Sequence, residues 1–275
     1  QIMSQIILNQ DLSFLLKGLD LKAFFSFDNY NNTTQQRQKQ STTYSVVGVD
    51  DETGDLAVRE VDKGQEFLGY STYSSSTRAI ESKVQLNYNQ LFNDVHRVGG
   101  MLMYYQRDYI NSSAGSSISA LPYRKQGLAF SSTYSYKDTY FAEFNLGYNG
   151  SENFPKDNRF GYFPAGALGY LISNEPFWNI DWIDVFKIRG SIGLVGSDAL
   201  PSSLRYGYLS TWGNGLGNYS FGYSPTWITG VGEAQFGVSD LTWEKGLKKD
   251  IGMELRLFKS LTLDVDYFHE KRTDI

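Results

Sequence analysis

Asp264 and Asp266 are the residues whose type and spacing come nearest to catalytic chemistry. Two positions apart on an extended strand, their carboxylates share a face at about 7 Å, a separation that suits general acid/base work. Arg256 and Glu254 sit on the neighbouring segment in the same alternating pattern. That company favours a different reading, in which the charges line the watered face of a sheet and perform no chemistry. The histidines, His96 and His269, are far apart and lack metal-ligand spacing, so each is read as a polar lumen or interface residue. Asp50, Asp51, Glu52 and Asp55 cluster at a D-E-T-G hairpin turn between VVGV and LAVREV. Hard oxygen ligands at that density suit calcium, yet Asp and Gly are ordinary turn residues, and a solvated loop tip is the preferred reading. No nucleophile elbow, phosphate loop or metal motif occurs, so no catalytic residue, metal or cofactor is assigned and no enzyme is expected.

A second group suits binding. Tyr206, Tyr208, Trp212, Tyr219, Tyr223 and Trp227 lie in a glycine-rich stretch, Gly196 to Leu241, read as one long loop. Flat rings beside Asn and Asp make a sugar-stacking surface, whereas the alternative is a loop packed on itself or on a lid partner.

The elements that must position these residues are strands. Ile251, Met253, Leu255 and Leu257 alternate with Gly252, Glu254 and Arg256. After a turn placed at Lys259-Ser260, Leu261, Leu263, Val265 and Tyr267 alternate with Thr262, Asp264, Asp266 and Phe268. Period-two patterning of this kind is a hairpin with oil on one face and water on the other. The pattern recurs upstream, with tight turns at Asn93-Asp94 and Lys137-Asp138 and long polar stretches at Tyr30 to Thr77 and Asn111 to Ala120. The segment NEPFWNIDWIDVF is read as an irregular or helical turn. Short and long connections alternate around about ten strands, each near the 9–11 residues that cross hydrocarbon when tilted. Tyr104, Tyr105, Tyr134, Tyr136, Tyr140, Trp178, Trp182 and Tyr267 fall near strand ends, as an interfacial girdle requires. The fold class is therefore all-β, an antiparallel transmembrane β-barrel segment with long loops on one side and short turns on the other. The competing all-β reading is a soluble sandwich, disfavoured by strand length.

Composition agrees. The chain of 275 residues holds 20 Tyr and 18 Phe, no Cys, and no apolar run long enough for a transmembrane helix. Negative mean hydropathy is compatible with barrel strands, where only every second residue meets lipid. A net charge of −5 argues against a nucleic-acid partner. Both ends fall in strand-like sequence without a signal peptide, which reads as an internal piece of a longer protein.

Three stretches carry a family likeness: FPAGALGYLISNEPF, FKIRGSIGLVGSD and the C-terminal LTWEKGLKKDIGMELRLFKSLTLDVDYFHEKRTDI. Together they resemble the C-terminal barrel half of SusC-like (RagA-like) TonB-dependent transporters of Bacteroidetes outer membranes. The likeness rests on Pro164, Gly169, Lys187, Arg189, Ser191, Gly193, Gly196, Trp243, Glu244, Asp266, Tyr267, Thr273 and Asp274, with Tyr170 standing where Trp is common. It covers 163–275, while the first 160 or so residues agree only in strand and loop rhythm. The resemblance implies that residues 1–275 belong to one barrel domain of about 22 strands, with the plug, TonB box and signal peptide outside this sequence. It also implies a bacterial outer-membrane location and import of an oligosaccharide or peptide nutrient. Partners would be a SusD-like surface lipoprotein, the TonB complex through the N-terminal region outside this sequence, and outer-membrane lipid. Lys187, Arg189, Glu254, Arg256, Asp264 and Asp266 would face the lumen and the plug. Alternatives are a siderophore receptor, a passive porin, or a secreted carbohydrate-binding domain.

Overall fold

The computed structural model describes residues 1–49, 52–116, 118–201, 204–223 and 226–274. Fourteen strands follow in chain order: β1 (Ile2–Asp11), β2 (Leu19–Gln38), β3 (Thr43–Val49), β4 (Leu56–Asp62), β5 (Gly69–Phe92), β6 (His96–Asn111) and β7 (Tyr123–Tyr136). The remainder are β8 (Tyr140–Ser151), β9 (Phe160–Leu171), β10 (Ile183–Ser197), β11 (Thr211–Phe221), β12 (Thr226–Gln235), β13 (Glu244–Leu257) and β14 (Leu261–Thr273). Ten form one antiparallel sheet in the order β1-β2-β5-β6-β7-β8-β9-β10-β13-β14, while β3-β4 and β11-β12 are separate two-stranded ribbons. Among the described residues, no helix is long and apolar enough to cross a membrane.

Sequential strands pair as neighbours, so every residue's side follows from the ladder. The C-terminal hairpin pairs Ile251 with Tyr267, Met253 with Val265, Leu255 with Leu263 and Leu257 with Leu261. Directly paired residues project to the same side of a sheet, and the aliphatic halves of both strands therefore coincide. Carried across the sheet, the same register sets Ile188, Leu168, Phe144, Phe130, Leu102, Val84, Phe25 and Ile6 on that apolar side. All of them are well exposed, because no second layer covers the sheet. A soluble sandwich would bury this face against a partner sheet.

Two rows of aromatics bound the apolar band. His96, Tyr136, Tyr140 and Tyr170 are paired in one cross-strand row at the short-turn end, with Tyr140 and Tyr170 stacked at 4.9 Å. Tyr104, Leu128, Tyr148 and Tyr162 form the row toward the long loops, with Tyr148 and Tyr162 at 4.5 Å. Along β8 the rows are eight residues apart, about 26 Å of strand, which a tilt of about 40° turns into roughly 20 Å of height, most of the ~25 Å apolar belt of an outer-membrane barrel. Of the expected girdle residues, Tyr134 and Tyr267 lie in a row one step inside, Trp178 and Trp182 in the connection before β10, and Tyr105 on the other face. Tyr105 alternates to the polar side, where its hydroxyl donates to Asn149 Oδ1 at 3.2 Å.

Several sequence expectations need correction. The polar stretch after Tyr30 is not a loop at its start or end: β2 and β5 stay paired from Leu19 opposite Tyr88 out to Gln38 opposite Gly69. Both faces there lie in water, so the ladder continues without apolar alternation to reveal it. The supposed loop Gly196 to Leu241 likewise holds the ribbon β11-β12. The 3₁₀ turn lies at Ile172–Asn174, and the tail of NEPFWNIDWIDVF already belongs to β10. That connection, 172–182, is longer than the 152–159 loop opposite, so the length alternation fails at this one place. The last tight turn is centred on Phe258 and Lys259, both with positive φ, because Ser260 N donates to Leu257 O. The same left-handed pair recurs at Asn93-Asp94 and Lys137-Asp138, the twist that two-residue hairpin turns require. Of the acidic turn, Asp50 and Asp51 lie outside the described residues, and no group of three or more His, Cys, Asp or Glu able to hold a metal occurs among the rest.

Gly196 marks a tight approach at the long-loop end of β10. A Cβ there would lie 2.0 Å from Cε1 and Cζ of Phe163, whose ring is pinned against Trp243 at 5.2 Å. Gly196→Val should overpack this contact by about 1–3 kcal/mol and lower the unfolding midpoint of the intact protein in detergent. Adding Phe163→Ala should recover part of the loss through the shared contact. An unchanged midpoint for the single variant would contradict the packing.

Candidate functional site

The six charged residues singled out from sequence share one face. Lys187 pairs with Glu254, which pairs with Asp264, and Val185 with Arg256, which pairs with Thr262. In the next row Arg189 faces Gly252, which faces Asp266. Arg189 spans the middle strand: its Nη2 lies 2.7 Å from Oδ1 and 2.8 Å from Oδ2 of Asp266. Gly252 permits this reach, since a Cβ there would sit 2.2 Å from Asp266 Oδ1 and 2.9 Å from Arg189 Nε. Both partners are partly exposed, so the pair organises the face more than it stabilises the fold. Lys187 Nζ lies 5.2 Å from the centroid of the Phe141 ring. Among the described residues, neither Glu254 nor Asp264 has an ion-pair partner, and Arg256 Nη2 reaches only the Lys259 carbonyl, at 3.5 Å. Asp264 and Asp266 therefore do not form a matched acid/base dyad: one is neutralised by Arg189 and the other stands apart.

The buried packing of this chain lies in its long loops. Its buried apolar side chains are Phe154, Tyr206 and Trp243, among the described residues. Phe154 and Phe163 contact the Trp243 ring at 5.1 and 5.2 Å, and Asn158 Nδ2 donates to the carbonyls of Asp240 and Leu241. Asp198 accepts from Lys125 at 2.9 Å and from Ser151 Oγ at 2.8 Å, tying the end of β10 to β7 and β8.

Arg205 is the centre of this assembly, and sequence reasoning missed it. Only 4% exposed, its guanidinium donates to the carbonyls of Ile118 (3.0 Å), Leu121 (2.7 Å) and Pro122 (2.6 Å) and to Glu152 Oε1 (2.7 Å). The guanidinium also lies 3.6 Å from the Tyr123 ring centroid and 4.8 Å from that of Tyr206. Three loops, those after β6, β8 and β10, thus converge on one cation, which is planar and rich enough in donors to bind them together. One signal was available: Arg205 is the sole Lys or Arg between Arg189 and Lys245. Burial, with the Glu152 carboxylate beside it, pushes the Tyr206 phenol above its ordinary pKa.

The six candidate ligand aromatics do not converge on one cleft. Tyr206 and Tyr208 meet edge to face at 6.1 Å inside the loop cluster. Trp212 and Trp227 are 71% and 68% exposed on β11 and β12, and Tyr219 and Tyr223 are exposed as well. Tyr219 pairs with Ile228, whereas Trp227 pairs with Ser220, which puts adjacent rings on opposite sides of the ribbon. Removing the Arg205 cation should free the loops without unravelling the sheet, because Glu152 would be left half-buried and unpaired, at a local cost of about 3–5 kcal/mol. Arg205→Met is expected to raise amide deuterium uptake over 118–122 and 152–158 while uptake in the β8 body stays at the parent level. Uptake in those loops equal to that of the parent would contradict the role given to Arg205.

No family model matches the chain. A TonB-dependent receptor of Formosa agariphila is 25% identical over 299 residues, covering 99% of this chain and 26% of that protein. The TonB-dependent receptor SusC of Bacteroides thetaiotaomicron is 28% identical over 144 residues, covering 52% of this chain and 14% of that protein. Among solved structures, the RagAB peptide transporter superposes with a TM-score of 0.66 at 15% identity, over 94% of this chain and 29% of that one. The chain thus spans about a quarter of the length of the first of these relatives. Over that span, the uncovered sheet and these matches together show a likeness to SusC-like TonB-dependent receptors, whose β-barrels lie in the bacterial outer membrane.

Proposed function

We propose that residues 1–275 form consecutive wall strands and surface loops of a single barrel domain that imports an oligosaccharide or peptide across the outer membrane at the expense of TonB. The observation that carries this reading is the sheet itself. One face is apolar between two aromatic rows over β6 to β9 and stays so in the C-terminal hairpin as far as Ile251 and Tyr267, with Lys249, His269 and Lys271 farther along that side; the other is mainly polar, and neither is covered. Lys187, Arg189, Glu254, Arg256, Asp264 and Asp266 then project into the lumen, where a plug domain supplies counter-charges for Glu254 and Asp264. Charged groups on the lipid side would cost about 2–4 kcal/mol each at the midplane, which favours this orientation.

On the extracellular side the Arg205 cluster acts as a rigid base from which the β11-β12 ribbon projects. Exposed Trp212 and Trp227 suit stacking on sugar rings or on apolar peptide side chains, and equally contact with a SusD-like lipoprotein closing over the barrel. The function is binding and passage, so these side chains recognise and position; none is asked to make or break a bond.

A strain lacking the full-length receptor should lose growth on one class of oligosaccharide or peptide supplied as sole nutrient, and regain it with the parent gene. The Trp212→Ala, Trp227→Ala double variant should raise the half-saturating nutrient concentration about tenfold, in line with the loss of one or two stacking contacts. Normal growth on all oligosaccharides and peptides, with a defect confined to iron limitation, would instead point to a siderophore receptor.

A further inference from the structure

We propose that a cleft at the long-loop rim of β6 to β9 binds the phosphate group of an outer-leaflet glycolipid. The cleft, about 350 Å³ in volume, is walled by Gln106, Arg124, Gln126, Glu152, Arg159 and Phe160. Gln106, Gln126 and Phe160 belong to one cross-strand row with Gly150, on the same side of the sheet as the apolar band. That row lies one step beyond Tyr104, Leu128, Tyr148 and Tyr162, the upper aromatic row. If aromatics of this kind sit at headgroup level, the cleft lies where a lipid's phosphate and sugar would be. The proposal therefore rests on the reading that the apolar face meets lipid.

Charge selects the ligand. Most ionised groups around the cleft are already matched. Arg124 Nε donates to Asp108 at 2.9 Å, Lys125 Nζ to Asp198 at 2.9 Å, and Glu152 is held by Arg205 at 2.7 Å. Arg159 is the surplus cation: it has no ion pair among the described residues, and its Nε is fully buried without a hydrogen-bond partner. A guanidinium on the wall of a cleft without a counter-charge favours an anion, and phosphate matches its fork geometry. The amides of Gln106 and Gln126 add neutral donors beside it. A neutral glycan would leave the Arg159 charge uncompensated.

The floor of the cleft suits the rest of such a lipid. Phe160 lies over Gly150, where a Cβ would meet its ring at 2.5 Å, and stacks on Tyr148 at 5.0 Å with planes 19° apart. This ring pair makes a flat apolar step between the polar cleft and the aliphatic band below. A sugar can rest on it while its acyl chains descend past Tyr162 and Tyr148. Nothing in the import reading requires such a site, because it lies outside the lumen.

The test is native mass spectrometry of the full-length receptor in detergent, titrated with monophosphoryl lipid A. Parallel titrations use the same lipid with its phosphate removed and inorganic phosphate alone. The parent is expected to hold the phosphorylated lipid about tenfold more tightly than Arg159→Gln, with Arg159→Lys in between, and to bind the dephosphorylated lipid no better than Arg159→Gln does. Unchanged heat-modifiable migration of the variants would show that they remain folded. Equal retention of both lipids by parent and variants would overturn the phosphate site while leaving the lipid-facing assignment intact. Failure of either lipid to bind would overturn both. Arg159-dependent binding of inorganic phosphate without preference for the lipid would make this a site for the free ion and contradict the proposal.

Discussion

In hydrocarbon an unpaired backbone N–H or C=O costs several kcal/mol, and the continuous hydrogen-bonded ladder across ten strands is what removes that cost. Every other feature follows from the ladder. Its register decides which side each residue faces, and one slip would carry Leu255 and Leu263 to the charged side and Glu254 and Asp264 to the apolar one. Tight left-handed turns at Asn93-Asp94, Lys137-Asp138 and Phe258-Lys259 hold that register at one end. The two outermost strands, β1 and β14, each pair on one side only. In the proposed barrel, further strands complete both ladders.

A sheet that meets lipid on one side and water on the other has no interior of its own. Packing of the ordinary kind is therefore displaced into the loops, where Phe154, Tyr206, Trp243 and the Arg205 guanidinium are buried. This division has a functional reading. The wall is set by alternation and is tolerant of which aliphatic occupies a position. The loop base depends on single side chains with fixed partners, and it is from there that the exposed ribbon β11-β12 extends. Gly196 and Gly252 serve both parts, because each lets a side chain on one strand reach over another.

What the sequence disclosed depended on whether the two faces of a strand differ in solvent. β8, β13 and β14 alternate bulky apolar with polar residues, and both their existence and their facing were legible. The outer halves of β2 and β5, and the ribbon β11-β12, have water on both faces, so nothing forces a period of two and they read as loops, whereas β3-β4 was legible through its D-E-T-G hairpin turn. The turn after Leu257 was placed one residue late, since Phe258, Lys259 and Ser260 are all tolerable turn residues and only the Ser260 to Leu257 hydrogen bond decides between them. Of the candidate site, the shared face of the six charged residues was legible through periodicity. The Arg205 assembly was not, because its partners lie more than fifty residues away in chain order, on loops without a pattern. The spread of the aromatic side chains over both sides of a ribbon was hidden for the same reason.

The central claim is that Leu263 and Val265 touch lipid while Asp264 and Asp266 line a watered lumen. The chain contains no Cys, so single cysteines introduced at these four positions meet no background from this segment, and any cysteine elsewhere in the full-length receptor is first replaced by serine. The decisive measurement is their accessibility in isolated outer membranes, read with a water-soluble maleimide and with a fluorophore quenched from lipid tails. The account predicts strict alternation: lipid quenching at 263 and 265, and maleimide labelling at 264 and 266. Uniform labelling by the water-soluble reagent at all four positions, or quenching at 264 and 266, would contradict it.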